Sequence, residues 1–135
     1  MKRIMVDMSA TLIHHGHVRL LRMAKNHGHV IVALTTDDEI RTKKGYKPEL
    51  NFSQRREILE SITYVDEVVP SPWLITLDFI DHHRIDLLVH GSDNSNPIPS
   101  DRLLLLSRTK GISSSIIRGR VLKTCSNFFM GKEKS

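Results

Sequence analysis

Residues 2–24, KRIMVDMSATLIHHGHVRLLRMA, decide the fold, because an apolar segment is followed by a histidine-rich turn and then by an amphipathic segment. Ile4-Met5-Val6 predicts a buried strand, and Val18–Ala24 predicts a helix. Between them, His14 and His17 stand three residues apart on either side of a glycine. The start of the helix adds free backbone N–H groups and a positive dipole end beside the two imidazoles. The segment therefore predicts an anion site for which a triphosphate is the natural ligand.

Length and composition are those of one ordinary globular domain, with 135 residues, 39% hydrophobic and 26% charged. The net charge of +5 fits an anionic ligand, but only 5% of residues are aromatic and the positive residues form no single run. We therefore expect no nucleic-acid partner. The apolar runs are too short to cross a bilayer, so we expect no membrane partner. A single cysteine, Cys125, excludes an intrachain disulfide and favours the cytoplasm.

Predicted strands and helices alternate along the chain. The strands are Lys2–Met8, Val30–Leu34, Val65–Val69, Ile85–His90 and Arg102–Leu106, and the helices run to about His27, from Ser53 as N-cap, over Leu74–His83 and over Ser113–Leu122. Thr36–Asn51 is predicted to be a polar loop. This alternation predicts an α/β fold, a Rossmann-like doubly wound five-stranded parallel sheet in a single domain. We place that domain at residues 1–124 and expect a flexible tail over 125–135.

Polar clusters follow most of the predicted strands. They are His14–His17, Thr35–Asp38, Gly91–Asp93 and Arg108–Ser115. In a doubly wound sheet, ligands bind beyond the carboxyl ends of the strands. We therefore expect these clusters to converge on one cleft.

Several residues have both a functional and a purely structural interpretation. Gly111 can form a turn and Ser113 can cap a helix, yet the same helix start can bind phosphate and ribose while Arg108 supplies charge. Arg55 begins a helix, where a cation is unfavourable, so a bound anion would offset it. Asp93 fits a contact to the nucleotide or to a metal-bound water, and equally a turn residue. A Walker-type loop, GxGxxG and a zinc pattern are missing from the sequence.

Together these pieces resemble the small bacterial cytidylyltransferases typified by glycerol-3-phosphate cytidylyltransferase. The resemblance covers residues 2 to 120. It rests on the HxGH at His14–His17, on Thr35–Asp37, on the helix Arg55–Leu59, on Tyr64–Val68, on Gly91–Asp93 and on Arg108–Ser115, which is similar to the family's RTEGIST. HxGH alone marks the wider nucleotidyltransferase superfamily, whereas the combination with RTxGIS points to CTP.

The resemblance implies that an oxygen of an organic phosphate attacks the α-phosphorus of CTP in line and releases pyrophosphate, assisted by Mg²⁺. It implies that His14 and His17 stabilise the reacting phosphates, that Arg55 binds phosphate, and that family members are homodimers. The implied nucleotide-binding residues are Ser9, Ala10, Gly16, Lys44, Asp93, Arg108, Thr109, Gly111, Ile112, Ser113, Ser114 and Ser115. No residue is expected to bind a metal directly.

Departures from the family concentrate where the acceptor is expected. Met8-Ser9-Ala10-Thr11 stands where the family has GTFD, Lys110 replaces a glutamate, and Asn94 replaces an aromatic residue. A basic residue that the glycerol-phosphate enzymes carry is missing from Leu74–Asp81. We therefore expect a glycerol-3-phosphate-like acceptor that need not be glycerol 3-phosphate itself, and a phosphonate, a phosphoethanolamine-like compound or another sugar or polyol phosphate all fit.

Two other functions stay open at this level. An adenylyltransferase of the same superfamily is suggested by residues 112–118, which resemble its ISSTxIR motif. A non-catalytic nucleotide-binding module is suggested by the altered Met8–Thr11 turn. Competition between nucleotides distinguishes an adenylyltransferase from a CTP enzyme. A binding module would bind CTP without releasing pyrophosphate.

Overall fold

Five parallel strands form one sheet in the computed structural model, which describes the backbone of residues 1–91 and 93–132 and side chains up to residue 128 of the last helix. The strands are β1 (Arg3–Met8), β2 (His29–Thr35), β3 (Glu67–Ser71), β4 (Leu87–Gly91) and β5 (Leu103–Leu106). The helices are α1 (His15–Lys25), α2 (Asp37–Lys44), α3 (Phe52–Glu60), α4 (Leu77–His82) and α5 (Ser114–Lys132), with a 3₁₀ turn over Ser100–Arg102. The predicted fold class is confirmed.

The strand order places a crevice at the middle of the sheet. The order is β3-β2-β1-β4-β5, so the chain runs outward from β1 to one edge and then returns to β4 on the other side. Ile4 of β1 pairs with Val30 on one side and with Leu87 on the other. Adjacent connections leave the sheet on opposite faces at this point, which opens a crevice beyond the carboxyl ends of β1 and β4.

Each face of the sheet has its own core. On one face, Ile4 and Val6 pack with Leu21 of α1 and Leu59 of α3, all fully buried. On the other face, Met5 and Leu88 pack with Ile80 of α4. Successive side chains of a strand point to opposite faces of the sheet. Alternate residues of β1 and β4 therefore pack against the helices of different faces.

Two boundaries in the first crossover differ from the prediction. The segment predicted as a polar loop contains α2, which Thr36 caps by accepting from the Glu39 N–H at 3.4 Å and which ends at Gly45 with φ 77°. Its only buried residue is Ile40, so no apolar period marks it in the sequence. The predicted cap Ser53 is also wrong. Asn51 caps α3, and the Gln54 side-chain oxygen accepts a hydrogen bond from the Asn51 N–H at 2.9 Å.

The end of the chain differs as well. We predicted that the last helix ends at Leu122, but α5 continues to Lys132, so the proposed boundary at residue 124 falls inside a helix. We predicted that the third strand ends at Val69, but β3 continues through Pro70 to Ser71. A proline is tolerated there because β3 is at the edge of the sheet and needs hydrogen bonds on one side only.

Candidate active site

A cavity of about 500 Å³ opens at the predicted crevice, beyond the ends of β1 and β4. It brings together residues from β1, α1, α2, β4 and the segment before α5. Of the predicted site residues, Ser9, Ala10, His14, Gly16, His17, Lys44, Asp93, Arg108, Thr109, Ile112, Ser113, Ser114 and Ser115 line it. Residues 55 and 111 are not among its lining residues. Each of the polar clusters that the sequence predicted to converge contributes to this cavity, although Thr35 is the one residue of the cluster Thr35–Asp38 that lines it.

The two histidines of the turn cap the first turn of α1. His14 Nδ1 accepts a hydrogen bond from the Gly16 N–H at 3.0 Å, and His17 Nδ1 accepts from the His14 N–H at 3.1 Å. A ring nitrogen that accepts carries no proton, so in each neutral ring the proton lies on Nε2. The imidazole centroids are 4.0 Å apart. The backbone therefore fixes both rings as Nε2–H donors at the wall of the cavity.

Electrostatics keep this histidine pair neutral. Burial, with smaller contributions from His14 and Arg108, lowers the pKa of His17 to about 3. Burial also lowers the pKa of His14, assisted by the charges of His15 and Arg108. At neutral pH both imidazoles are uncharged donors, which suits them to bind phosphate oxygens without titrating during the reaction.

Gly16 leaves room for the His14 ring. A Cβ at residue 16 would lie 2.8 Å from His14 Cε1 and 3.3 Å from Ile112 Cγ2. The family resemblance implies that Gly16 is a nucleotide-binding residue. The structure shows a further reason for the glycine, since a side chain here would displace the ring of a predicted catalytic residue.

The opposite wall comes from the start of α5 and the loop before it. The Ser114 hydroxyl accepts from the Leu12 N–H at 3.2 Å and donates to the Leu12 carbonyl at 2.9 Å. Arg108 donates to Asp93 at 3.1 Å. Gly111 has φ 77°, a backbone conformation that favours glycine, and it shapes the turn without lining the cavity.

The structure contradicts the prediction that Arg55 contacts a ligand phosphate. Its side chain is fully buried, and the guanidinium donates to the carbonyls of Leu50, Ser9 and Thr35 and to Asp37 Oδ1 at 2.7 Å. We expected a bound anion to offset this cation at the start of α3. The offset is internal, because the Asp37 carboxylate and three backbone carbonyls supply it.

Lys44 lies at the end of α2 on the cavity wall. Its ammonium group is 5.5 Å from the centroid of the Trp73 ring. An aromatic face positions a cation while leaving its N–H groups free for an anionic ligand. Trp73, in the loop after β3, thus positions the Lys44 ammonium group at the cavity.

Sequence reasoning missed three polar residues of the cavity that are bonded to one another. Asp7 and His90 are each the last but one residue of adjacent strands, and His90 Nδ1 lies 2.5 Å from Asp7 Oδ1. Asn96 donates to Asp7 Oδ2 at 3.0 Å. A signal existed, since a charged residue in a buried strand is unusual and His90 precedes the Gly91 turn, but the pairing of the two strands was needed to join them.

The described residues hold neither a metal-binding cluster of side chains nor a membrane-spanning helix. Within residues 1–91 and 93–132, no group of three His, Cys, Asp or Glu side chains is arranged to hold a metal ion. None of the helices in the same residues combines the length and the apolar character needed to cross a membrane.

Comparisons with known proteins agree with this geometry. The Cytidylyltransferase-like family model matches residues 9–110. The chain is 37% identical to glycerol-3-phosphate cytidylyltransferase of Staphylococcus aureus over 126 residues, which cover 87% of this chain and 93% of that protein. It is 33% identical to the glycerol-3-phosphate cytidylyltransferase of Bacillus subtilis, covering 90% and 98%.

A longer relative and a solved structure extend the comparison. The ethanolamine-phosphate cytidylyltransferase of Mus musculus is 33% identical over 132 residues, and the match covers 89% of this chain but only 32% of that protein. A lipopolysaccharide core biosynthesis protein from Thermoplasma volcanium superposes with a TM-score of 0.70 at 17% identity, covering 82% of this chain and 99% of that one. The latter shows a shared fold alone.

The histidine turn and the start of α5 thus share one cavity, and the family model spans most of the residues that build it. The predicted family and the predicted class of enzyme, a CTP-dependent transferase, are confirmed. The chain belongs to the cytidylyltransferase-like family of nucleotidyltransferases.

Proposed function

We propose that this enzyme transfers CMP from CTP to a small organic phosphate or phosphonate and releases pyrophosphate. The observation that supports this most directly is the pair of neutral imidazoles, each fixed by a backbone N–H as an Nε2–H donor at the cavity. Such donors stabilise negative charge that builds up on the α-phosphate and on the leaving pyrophosphate. Arg108, paired with Asp93, adds positive charge on the same cavity.

The reaction needs positioning more than acid–base chemistry. An acceptor phosphate oxygen attacks the α-phosphorus, the bond to the bridging oxygen of the β-phosphate breaks, and that oxygen leaves with the electron pair as pyrophosphate. A phosphate oxygen is already anionic, so no base is needed to activate it. Lys44 and the N–H groups at the start of α5 would hold phosphates, and the two histidines would hold the α-phosphate for in-line attack.

We propose that Mg²⁺ enters with the nucleotide as MgCTP. Asp7 and Asp93 are the carboxylates of the described cavity lining, and each is already bonded to another side chain. The triphosphate oxygens are therefore the natural ligands of the ion, which neutralises charge on the leaving group. We also propose that the enzyme is a homodimer, as the family resemblance implies. The exposed free thiol of Cys125 supports a location in the cytoplasm.

The first test is pyrophosphate release with CTP or ATP, each with Mg²⁺ and a panel of phosphomonoesters and phosphonates. Release with CTP and an acceptor is the expected result. Release with ATP alone would instead make the chain an adenylyltransferase. Calorimetric binding of CTP without release from any acceptor would contradict an active enzyme and support the nucleotide-binding module.

The His17→Ala variant tests the role of the histidine turn. Removing one preorganised donor from the transition state is expected to lower turnover by about 10²–10³-fold. His15→Ala is the matched control, because His15 is an exposed neighbour that does not line the cavity. Near-normal turnover in His17→Ala would contradict the proposed mechanism.

A further inference from the structure

One arginine of α5 joins three segments that are far apart in the chain. The Arg118 guanidinium donates to both carboxylate oxygens of Glu49, with Nη2 2.7 Å from Oε1, and to the Thr11 hydroxyl at 3.2 Å. Its Cζ atom lies 4.7 Å from the centroid of the Tyr46 ring. A planar fork that binds two oxygens and stacks on a ring has a fixed orientation. Arg118 therefore ties α5 both to the turn before the histidines and to the loop between α2 and α3.

The loop that Arg118 holds begins directly after Lys44. Lys44 is the last residue of α2, and Tyr46 lies two residues further along the chain. Ile40 is the one buried residue of α2, and residues 41–45 are all exposed. The last turn of α2 therefore lies outside the core, and its position depends on contacts at the surface.

Lys44 is held from two sides. On one side, its ammonium group lies 5.5 Å from the centroid of the Trp73 ring. On the other side, Arg118 fixes the loop that follows the lysine, through the carboxylate and the aromatic ring that it binds. Arg118 comes one helical turn after Ser114, which lines the cavity at the start of α5. The helix whose first N–H groups face the cavity thus also holds the loop of the lysine.

The ion pair of Arg118 and Glu49 keeps its charges at neutral pH. The hydrogen bond from Arg118 holds the pKa of the Glu49 carboxyl below its ordinary value, and the same bond raises the pKa of Arg118. Thr11 and Lys44 line the cavity, whereas Arg118 and Glu49 are not among its described lining residues. The charge of Arg118 is therefore already paired with a carboxylate, and the residue can act on a bound triphosphate only through the segments that it holds.

We propose that Arg118 positions Lys44 for nucleotide binding, by fixing the loop after α2 against the helix whose start binds the phosphates of CTP. Arg118 is a positioning residue that acts through Tyr46 and Glu49. The inference rests on the proposed function, in which Lys44 binds phosphates of CTP, and adds a coupling between this lysine and α5.

Equilibrium binding tests the inference without turnover. The Mg²⁺ complex of α,β-methylene CTP is titrated calorimetrically into the wild type, Lys44→Ala, Arg118→Ala and the double variant. Lys44→Ala should weaken binding by about 10–100-fold, the range for a hydrogen bond to a charged group. Arg118→Ala should weaken it by about five- to tenfold, because the lysine loses its fixed position. In the Lys44→Ala background, the further loss from Arg118→Ala should be at most about twofold, since the residue through which it acts is gone.

The charge of Glu49 distinguishes positioning from simple electrostatic attraction. Glu49→Gln removes a negative charge, so attraction alone would make the triphosphate bind more tightly. If the ion pair positions the loop, its loss should instead weaken binding by about two- to fivefold. Arg118→Lys keeps the positive charge but not the planar fork, and its affinity should resemble that of Arg118→Ala more than that of the wild type.

Trp73 provides a readout in the absence of nucleotide. It is the only tryptophan of the chain, and the Lys44 ammonium group lies over its ring. Lys44→Ala should change the Trp73 fluorescence, and Arg118→Ala should change it in the same direction. Lys123→Ala is the matched control, because Lys123 is an exposed cation five residues further along α5, and it should change neither fluorescence nor binding. Thermal denaturation shows whether each variant is folded.

Each failure has a different meaning. Additive losses in the double variant, wild-type affinity in Arg118→Ala, or tighter binding in Glu49→Gln would overturn the positioning role and leave the proposed function in place. A change of Trp73 fluorescence in Lys44→Ala without one in Arg118→Ala would overturn it as well. If Lys44→Ala binds the CTP analogue like the wild type, Lys44 does not bind the phosphates and the inference fails with it. If the wild type does not bind the analogue, the proposed function itself fails.

Discussion

At the scale of single residues, the clearest feature is that a backbone N–H assigns the tautomer of each histidine in the turn. The same bonds form the capping box of α1, so the chemistry of the site and the start of the helix share their contacts. Gly16 belongs to this unit because the His14 ring occupies the space that its side chain would take. The geometry of the two imidazoles therefore depends on a residue that has no side chain of its own.

Gly16→Ala should therefore lower turnover by about tenfold or more while leaving the fold intact, since a misplaced catalytic group loses much of its effect. Pyrophosphate release measures the effect, and circular dichroism checks the helix content. Gly119→Ala is the matched control, because a Cβ there meets no heavy atom within 4 Å and alanine favours a helix over glycine by up to about 1 kcal/mol. Wild-type turnover in Gly16→Ala would show that the His14 ring tolerates displacement.

We predicted that Arg55 contacts the ligand, but in the structure its buried guanidinium stabilises the fold by bonding other parts of the chain. Arg55→Ala should lower the free energy of unfolding by about 3–5 kcal/mol, because the Asp37 carboxylate and three carbonyls lose their partner. Arg56→Ala on the same helix should change it by no more than about 1 kcal/mol, since that side chain is 48% exposed in its pair with Glu60. Urea denaturation compares the two. Equal stability of both variants would argue against the support role.

At the scale of elements, the site depends on ties between segments far apart in the chain. Ser114 at the start of α5 bonds both backbone groups of Leu12, and Arg118, one turn later, bonds Thr11 and Glu49. These contacts dock α5 on the loop that precedes the histidine turn. The helix start can therefore present its N–H groups to the cavity only while this loop keeps its conformation.

Ser114→Ala should lower the free energy of unfolding by about 1–2 kcal/mol, because it leaves the Leu12 backbone groups without their partner. We also expect a higher KM for CTP, because α5 loses part of its fixed position. Ser126→Ala, on the exposed later part of the same helix, should change neither quantity. Denaturant unfolding measures the free energy of unfolding of the two variants, and steady-state kinetics measure their KM for CTP. If both quantities are unchanged in Ser114→Ala, the docking of α5 through Ser114 is contradicted.

At the scale of the whole molecule, the histidines couple the stability of the fold to pH. The pKa of His17 is lowered from 6.5 to about 3, so its neutral form is favoured by folding. Such a group contributes its full stability above pH 6.5 and loses it as pH falls toward 3. His90, with a raised pKa, acts in the opposite sense, because its contribution is complete below pH 6.5 and is lost as pH rises through the folded value.

Stability should therefore decline as pH falls below 6.5, before the carboxylates with lowered pKa, such as Glu67 with an ordinary value of 4.5, begin to contribute. Urea midpoints at intervals between pH 7 and pH 4.5 measure the decline. His17→Asn should flatten it, because asparagine can accept the same backbone bond without titrating. A slope that His17→Asn leaves unchanged would assign the decline to other groups.

The sequence by itself determined the order of strands and helices, the parallel sheet and the histidine turn, because these follow from apolar periodicity and from motifs that are local in the chain. It also predicted that most of the candidate nucleotide-binding residues lie at one edge of the sheet, since the carboxyl ends of parallel strands meet there. It did not reveal α2, because the single buried residue of that helix, Ile40, cannot produce a hydrophobic periodicity. Thr36 and Gly45 are nevertheless ordinary helix-capping residues. The length of α5 was missed for a similar reason, because its exposed apolar residues form no stripe.

Only the tertiary structure decided which partners Arg55, Asp7 and His90 have. A sequence shows that a residue is charged, but whether its charge meets a ligand or the protein depends on which distant atoms surround it. Arg55 is satisfied by residues up to 46 positions away, and Asp7 and His90 are 83 positions apart. Strand pairing and side-chain parity make the contact between Asp7 and His90, whereas the position of α3 beside the ends of β1 and β2 makes those of Arg55. None of these is a local property of the chain.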